Sequence, residues 1–369
     1  MRNRTLCAKA WWKRSMHKSL LDILVDPISK VPLQIAVDRY GDDSHILEGT
    51  LHSSGTRSYA ITNGIPRLVV NEDRDQQQTG DSFGFKWQQR STYDSHEMRQ
   101  ACRQWLVLRY GFRGVDEMRR FFGSRQRILD AGCGSGFSAS LWMDSFWQGE
   151  GHAEWVGVDV SSAIDVAQER LGSTVGMHFL QTDMMRLPFR AQAFDTIFAE
   201  GALHHTPSTE RALKSLVSYL EPGGQVLFYV YRKKGPIREF ADDYIRGCMS
   251  CLDPEEAWAK LHSLTRLGQV LAELRAEVEV PEDIPYLGIK AGRYDVQRLV
   301  YWHFAKLYWN EKFSFEENHH VNFDWYHPRY AHRHTEEEIR RWCDEAGLVI
   351  IHFDAQESGF TVRANKANV

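Results

Sequence analysis

Three glycines in five residues, Gly132, Gly134 and Gly136, follow a short apolar run and the acid Asp130. Glycine at a strand-to-helix turn lets the backbone bend sharply and lets a ligand come close to the main chain. That spacing alone is a weak signal, and two further acids strengthen it. Asp159 ends the apolar run before Val160, and Asp183, followed by Met184, comes directly after M-H-F-L-Q-T, 177–182. A carboxylate at the first of these places can accept both hydroxyls of a ribose, and one at the second can reach an adenine amino group. All three acids fall at carboxyl ends of expected strands, the edge where open α/β sheets bind ligands. A dinucleotide-binding loop is the rival, with fingerprint G-x-G-x-x-G. Here its third glycine position holds Phe137, and Asp130 sits awkwardly beside a pyrophosphate but suits a cationic amino-acid tail. The plain alternative is that the glycines only form turns and the aspartates only cap strand ends.

Candidates for proton chemistry lie elsewhere. His204 and His205 follow F-D-T-I-F-A-E-G, 194–201. One of them can act as a base or orient a substrate; alternatively both pack or cap the next helix. The stretch 318–335 offers Asp324, Tyr326, His327, Arg329, Tyr330 and His334. It reads as a substrate-facing wall or, equally, as an aromatic packing layer. No H-E-x-x-H spacing occurs, and Cys248 and Cys251 form a C-x-x-C without a second pair, so no metal is expected. The six cysteines read as reduced thiols of a cytoplasmic protein.

The elements that must position these residues alternate. Strands are expected over 155–160, 177–181, 194–199 and 225–231, with helices between them and E-P-G-G, 221–224, ending one of those helices. Such alternation predicts an α/β fold, a Rossmann-like doubly wound parallel sheet with helices on both faces. It breaks at 232 and resumes at 335, where Thr335 opens a helix that closes at Gly347. The core is therefore read as 128–231 plus 335–369, with 232–334 as a largely helical inserted substrate cap. Upstream, 76–127 reads as a helical connector. Residues 19–75 read as a small α+β domain, with strands around Leu33–Val37 and Ser58–Ile61 and a turn at Asn63-Gly64. The polar segment 71–81 reads as a linker. Residues 1–18 read as a basic tail, with six Lys/Arg in the first 20 residues, no acids there, and Met16 as an alternative start.

Composition narrows the partners. Lys+Arg 45 against Asp+Glu 49 gives a net charge of −4, so neither nucleic acid nor a membrane surface is announced. No run of about 18 apolar residues exists, so no membrane span is expected.

Together D-A-G-C-G-S-G, V-G-V-D-V-S, T-D-M-M-R-L-P-F, F-D-T-I-F-A-E-G-A-L-H-H and L-E-P-G-G resemble the successive motifs of class I S-adenosylmethionine-dependent methyltransferases. The resemblance implies S-adenosyl-L-methionine as cofactor and S-adenosyl-L-homocysteine as product. It implies Asp130 and the loop glycines near the methionine part, Asp159 and Val160 at the ribose, Asp183 and Met184 at the adenine, and Glu200 and Gly201 beside the methyl group. It further implies that S-F-G-F-K-W, 82–87, closes over the cofactor. Residues 20–70 resemble the small zinc-ribbon-like domain related to the activator subunit of tRNA and protein methyltransferases. Asp26, Ser29, His52 and Gly55 stand where metal-binding relatives carry cysteines, which implies a domain without zinc. The expected reaction is methyl transfer to a small-molecule or sugar-containing acceptor, with His204, His205, Tyr326 and His327 as catalytic candidates. An RNA or protein acceptor, or a non-catalytic cofactor-binding scaffold, is the alternative.

Overall fold

The computed structural model describes residues 16–41, 45–55, 57–70, 73–143 and 153–368. The basic tail lies outside the described residues up to position 15. Met16, however, exchanges backbone hydrogen bonds of 3.0 Å with Ile46 and is buried, so ordered pairing begins before position 19.

The chain opens with an antiparallel meander, β1 (Gln34–Tyr40), β2 (Ile46–His52), β3 (Ser58–Thr62) and β4 (Ile65–Pro66). Asn63 and Gly64 both have positive φ, 54° and 75°, the conformation that two-residue hairpin turns require. The second strand was not visible in the sequence because Glu48 and Gly49 interrupt its β pattern. Gly49 is there because a Cβ would stand 2.6 Å from the Ala36 carbonyl oxygen.

Three helices follow: α1 (Arg74–Gln88), α2 (His96–Arg109) and α3 (Val115–Gly123). Most of the expected polar linker over 71–81 is helix. The Asp73 carboxylate accepts the N–H groups of Asp75 and Gln76 and starts α1. Its polar sequence hid this, because the buried face uses small or polar residues, Gln76, Thr79, Gly80 and Ser82.

The central sheet then builds through β5 (Arg127–Ala131), α4 (Phe137–Ser140), β6 (Glu154–Asp159), α5 (Ala163–Leu171), β7 (Met177–Gln181), β8 (Phe194–Ala199), α6 (Thr209–Ser218) and β9 (Leu220–Tyr231). An insertion follows, with α7 (Pro236–Met249), α8 (Pro254–Glu273), β10 (Glu277–Val280), β11 (Gly292–Asp295), α9 (Val296–His303) and α10 (Phe315–Tyr326). Finally come α11 (Glu336–Glu345), β12 (Leu348–Ala355) and β13 (Gly359–Lys366). The sheet order is β12-β13-β9-β8-β5-β6-β7, with β9 to β7 parallel and the last hairpin antiparallel. This is the expected doubly wound α/β sheet. Its order reverses at β5, which has β6 on one side and β8 on the other, and such a switch point opens a crevice at the carboxyl ends of the strands. The parallel strands are buried on both faces, through Ile128, Leu129, Trp155, Val156 and Ile197. The N-terminal meander continues onto the β7 edge, where the Leu68 N–H donates to the Gln181 carbonyl at 2.8 Å. An edge that would otherwise offer unpaired backbone groups is thereby covered. Thr335 forms the expected capping box with Glu338. Among the described residues, no helix is long and apolar enough to cross a membrane.

One carboxylate organises the insertion. Asp242, in α7, is about 1% exposed and accepts from Arg238 Nε (2.6 Å), Trp325 Nε1 (2.8 Å), the Tyr326 hydroxyl (2.8 Å) and the Lys306 backbone N–H (3.1 Å). Removing one member of a buried ion pair leaves the other charge uncompensated. Asp242→Ala should therefore destabilise the protein by about 3–5 kcal/mol, read as a lower urea midpoint with earlier proteolytic cutting inside 232–334 than elsewhere. Unchanged stability would mean that Asp242 does not hold this region together.

Candidate active site

A cavity of about 780 Å³ lies at the carboxyl ends of the parallel strands, within the range of roughly 300–1,000 Å³ typical of ligand pockets. Its floor is built by strand ends and the turns after them: Gly132, Val158 to Val160, Thr182 to Met184, and Glu200 to Ala202. Phe83, Lys86 and Trp87 of α1, Trp105 of α2, Tyr229 and Tyr231 of β9, Tyr301 and Trp302 of α9, and His320 and Asp324 of α10 complete the wall.

The glycine loop is shaped as its spacing requires. Gly132, Gly134 and Gly136 have φ of 80°, 54° and 68°. A Cβ on Gly132 would stand 2.3 Å from that of Ala202, so loop and fourth strand end meet without space for a side chain. Asp159 fastens the loop: one carboxylate oxygen accepts the Gly134 N–H at 2.8 Å, and the other accepts the Ser161 N–H and hydroxyl at 2.8 and 2.6 Å. Burial raises its pKa while these donors oppose the rise. Asp183 is also raised by burial, and it accepts the Met185 N–H at 2.8 Å. Asp159, Val160, Asp183, Met184, Glu200 and Gly201 all line the cavity. Asp130 stands one step back. Its carboxylate accepts the Trp155 indole N–H at 3.1 Å, and burial pushes its pKa up to about 7. Gly134 and Gly136 likewise lie behind the wall, Gly136 against Ala167 and Leu171.

The four expected catalytic residues separate. His205 lines the cavity, and its Nδ1–H donates to the Tyr330 carbonyl at 2.6 Å, which leaves Nε2 as the unprotonated ring nitrogen. Burial pushes its pKa down to about 4, so the ring is neutral near pH 7. His204 is not on the wall. Its ring is buried 3.7 Å from that of Tyr231, and among the described residues neither nitrogen has a hydrogen-bond partner. Tyr326 and His327 are also corrected. The Tyr326 hydroxyl is committed to Asp242, while His327 bonds through Nδ1 to Ser82 Oγ (2.8 Å) and through Nε2 to the Leu252 carbonyl (3.3 Å). The helical period explains Tyr326, which lies two residues after Asp324 and so on the opposite side of α10 from the cavity residues His320 and Asp324, whereas His327 caps the helix end with its ring taken by Ser82 and Leu252. Of the other members of 318–335, Tyr330 positions His205 through its carbonyl and bonds Asp73 through its hydroxyl, and His334 bonds Thr209 Oγ1.

Three cations of the site were not singled out: Arg109 behind Glu200, and Lys86 and Lys306 on the cavity wall. Arg109 is fully buried, with its guanidinium 3.5 Å from the Trp105 ring centre and 4.1 Å from that of Tyr229, and it is ion-paired with Glu200. Tyr110 donates its hydroxyl to the other Glu200 oxygen at 2.6 Å. Lys86 is ion-paired with Asp324, which also accepts the Tyr231 hydroxyl at 3.0 Å. Burial alone would raise the Asp324 pKa, but Lys86, His205 and Lys306 outweigh it and hold the carboxyl well below the usual range. Lys306, the third, lines the cavity from the loop after α9. The available signal was the arginine in W-L-V-L-R-Y, 105–110, and the lysine in F-G-F-K-W, charges placed inside apolar runs.

Residues 128–224 match the family described as "Methyltransferase domain". Curated relatives include a tRNA U34 carboxymethyltransferase of Saccharophagus degradans, 32% identical over 120 residues, covering 31% of this chain and 35% of the relative. A phthiotriol/phenolphthiotriol dimycocerosates methyltransferase of Mycobacterium ulcerans is 30% identical over 138 residues, covering 37% and 49%. A malonyl-acyl-carrier-protein O-methyltransferase of Erwinia pyrifoliae is 34% identical over 110 residues, covering 29% and 37%. The chain spans less than half the length of each of these relatives. The matched stretch is a class I S-adenosylmethionine-dependent methyltransferase domain, and it contains the strand ends and turns that form the cavity floor.

The buried neutral imidazole has a thermodynamic signature. Its folded pKa of about 4 lies below the ordinary 6.5. The unfolded chain therefore takes up a proton that the folded chain refuses, and stability is lost as pH falls from 6.5 towards 4. Asp130, raised to about 7, titrates in the opposite sense over part of this window. Comparing wild type with His205→Gln removes that background. Wild type should lose about 3 kcal/mol more than the variant between these limits, at about 1.36 kcal/mol per pKa unit. Parallel stability–pH curves in chemical denaturation would contradict a neutral, buried His205.

Proposed function

We propose that this protein transfers a methyl group from S-adenosylmethionine to a small-molecule acceptor held between the strand ends and the inserted helices. One observation carries the reading: a single cavity is lined both by the strand-end acids of the methyltransferase domain and by aromatic, imidazole and ammonium groups of the connector and insertion. The floor fits the cofactor. At Gly201, with φ of 69°, an added Cβ would meet nothing within 4 Å, so the turn leaves an open cradle. Beside it the Thr182 hydroxyl is buried and, among the described residues, without a partner. Asp159 and Asp183 present carboxylate oxygens at the same floor. When bound, S-adenosylmethionine supplies a methyl group activated on a sulfonium sulfur.

The chain's own contribution is to position, exclude water and take a proton. Asp159 holds the loop in its bent form, and Lys86, Trp87 and Tyr231 close the cavity from above. His205 Nε2 would accept the proton of a hydroxyl acceptor as its oxygen lone pair forms the bond to the methyl carbon and the bond from that carbon to sulfur breaks; for an ammonium acceptor it would take the proton first and so free the nitrogen lone pair, and the Tyr330 carbonyl keeps the ring in the required tautomer. A net charge of −4 and an aromatic cavity wall support a small acceptor over an RNA. The N-terminal meander is read as a packed relative of the activator-type domain. Asp26 supports this: it is buried and accepts the N–H groups of Ile28 and Ser29 and the Tyr59 hydroxyl, organising its turn by hydrogen bonds.

Calorimetric titration should show binding of S-adenosylhomocysteine and none of NAD, with Asp159→Ala weakening the former by more than about tenfold, or 1.4 kcal/mol. Binding of NAD alone would overturn the cofactor assignment. With an acceptor in hand, His205→Asn should lower kcat by about 10²–10⁴-fold at unchanged cofactor affinity. An undiminished kcat would remove His205 from the chemistry.

A further inference from the structure

Around the inserted part of the cavity one lining ammonium, among the described residues, is left without a paired acid. Lys86 is paired with Asp324, Arg238 with Asp242, and Arg109 with Glu200. Lys306 lies among the first two of these pairs and has no acid of its own. It is about 7% exposed, it lines the cavity, and its ammonium has no hydrogen-bond or ion-pair partner among the described residues. Its one close neighbour is the Trp325 ring, with the nitrogen 4.5 Å from the ring centre. The acids that act on it, Asp324 and Asp242, are already paired with Lys86 and Arg238, so this buried cation is in deficit of an anion, because desolvation disfavours the charged form until a counter-charge arrives. Burial accordingly pushes its pKa down to about 7. Tyr229, Tyr301, Trp302 and Tyr308 line the same cavity. They offer flat apolar surface beside the one unneutralised ammonium.

We propose that Lys306 is a specificity-determining residue that pairs with an oxyanion of the acceptor, so that the substrate is an acid carried on a flat, ring-bearing body lying against these aromatic residues. This rests on the methyltransferase reading and deepens it. The pairing keeps the lysine charged, so binding of the acid above pH 7 draws in a proton. It also fixes one end of the acceptor, while the neutral His205 serves the reacting end.

The experiment uses the full chain loaded with S-adenosylhomocysteine and matched probes. The acids are para-hydroxybenzoate, para-coumarate, indoleacetate and phenyl phosphate; the neutral counterparts are the three primary amides and phenol. Titration calorimetry should find at least one acid that binds about tenfold or more tightly than its neutral partner. The carboxylate and phosphate arms tell which oxyanion fits. Titration at pH 8 in two buffers of different ionisation heat should show proton uptake with that acid. In Lys306→Met, which keeps the length of the side chain, both the preference and the proton uptake should vanish while S-adenosylhomocysteine affinity stays unchanged. A preference that survives Lys306→Met, amides binding as well as acids, or no acid binding at all would overturn the proposal. Failure of the wild type to bind S-adenosylhomocysteine would instead overturn the cofactor reading. The acid-against-amide ranking measured on the unloaded chain would then still decide the role of Lys306.

Discussion

The ion pair between Lys86 and Asp324 is the interaction on which the working structure turns. It joins α1, upstream of the glycine loop, to α10, near the end of the insertion, and Tyr231 of β9 donates to the same carboxylate. Both charges are largely withdrawn from water, at 7% and 19% side-chain exposure. Burying either alone would be penalised by several kcal/mol. Connector, sheet and insertion therefore have to assemble together, and the cavity wall exists only when they do. Lys86 also lies 4.1 Å from the centre of the Trp87 ring, so the pair orders the aromatic residues around it.

A second pair, Arg109 with Glu200, does for the strand end what the first does for the cap. Glu200 follows β8 directly, where a carboxylate would be free to move. The Arg109 guanidinium, clamped between Trp105 and Tyr229, and the Tyr110 hydroxyl hold both of its oxygens. Burial opposes the charge on Arg109, but Glu200 beside it outweighs burial and raises its pKa. Asp324 and Glu200 are thus pre-oriented by partners from helices, while His205 in the same cavity stays neutral. Fixed dipoles and charges that need not reorganise give a site an electrostatic environment that water does not have to supply.

Local patterns made the floor of this site readable and left its roof obscure. Strand β7 and strand β8 begin and end where their apolar runs do, and the loop glycines adopt the positive φ that their spacing demands. Asp159 and Asp183 lie at strand ends because the parallel sheet forces every strand to finish on the same edge. Helix α1 escaped notice because the face it buries is made of Gln, Thr, Ser and Gly, residues that read as a loop. Tyr326 and His327 looked reactive by type, but the rotation of α10 turns Tyr326 towards Asp242, and tertiary partners, Ser82 and Leu252, take the ring of His327 at the helix end. Lys86 and Arg109 acquire meaning from partners 238 and 91 residues away. No window of sequence contains such a pairing.

The place of the insertion explains how the cavity wall can vary over a constant floor. Strand β9 ends at Tyr231, a cavity residue, and the chain leaves the sheet there before returning for α11 and the closing hairpin. Anything inserted at that point starts at the lip of the switch-point crevice and must fold back over it. Its internal scaffold, Asp242 with Arg238, Trp325 and Tyr326, makes no use of the glycine loop or the strand-end acids. The insertion meets the connector and the sheet through Lys86 with Asp324, Thr92 with His320, Ser95 with Glu317 and Tyr330 with His205, among other contacts, and none of these four involves the glycine loop. Residues such as Lys306 and Tyr301 can therefore change without disturbing Asp159 or Gly132. The family match, 128–224, holds the floor together with Phe137 and His205, whereas the other aromatic and charged groups of the cavity wall lie outside it, in the connector, the end of β9 and the insertion.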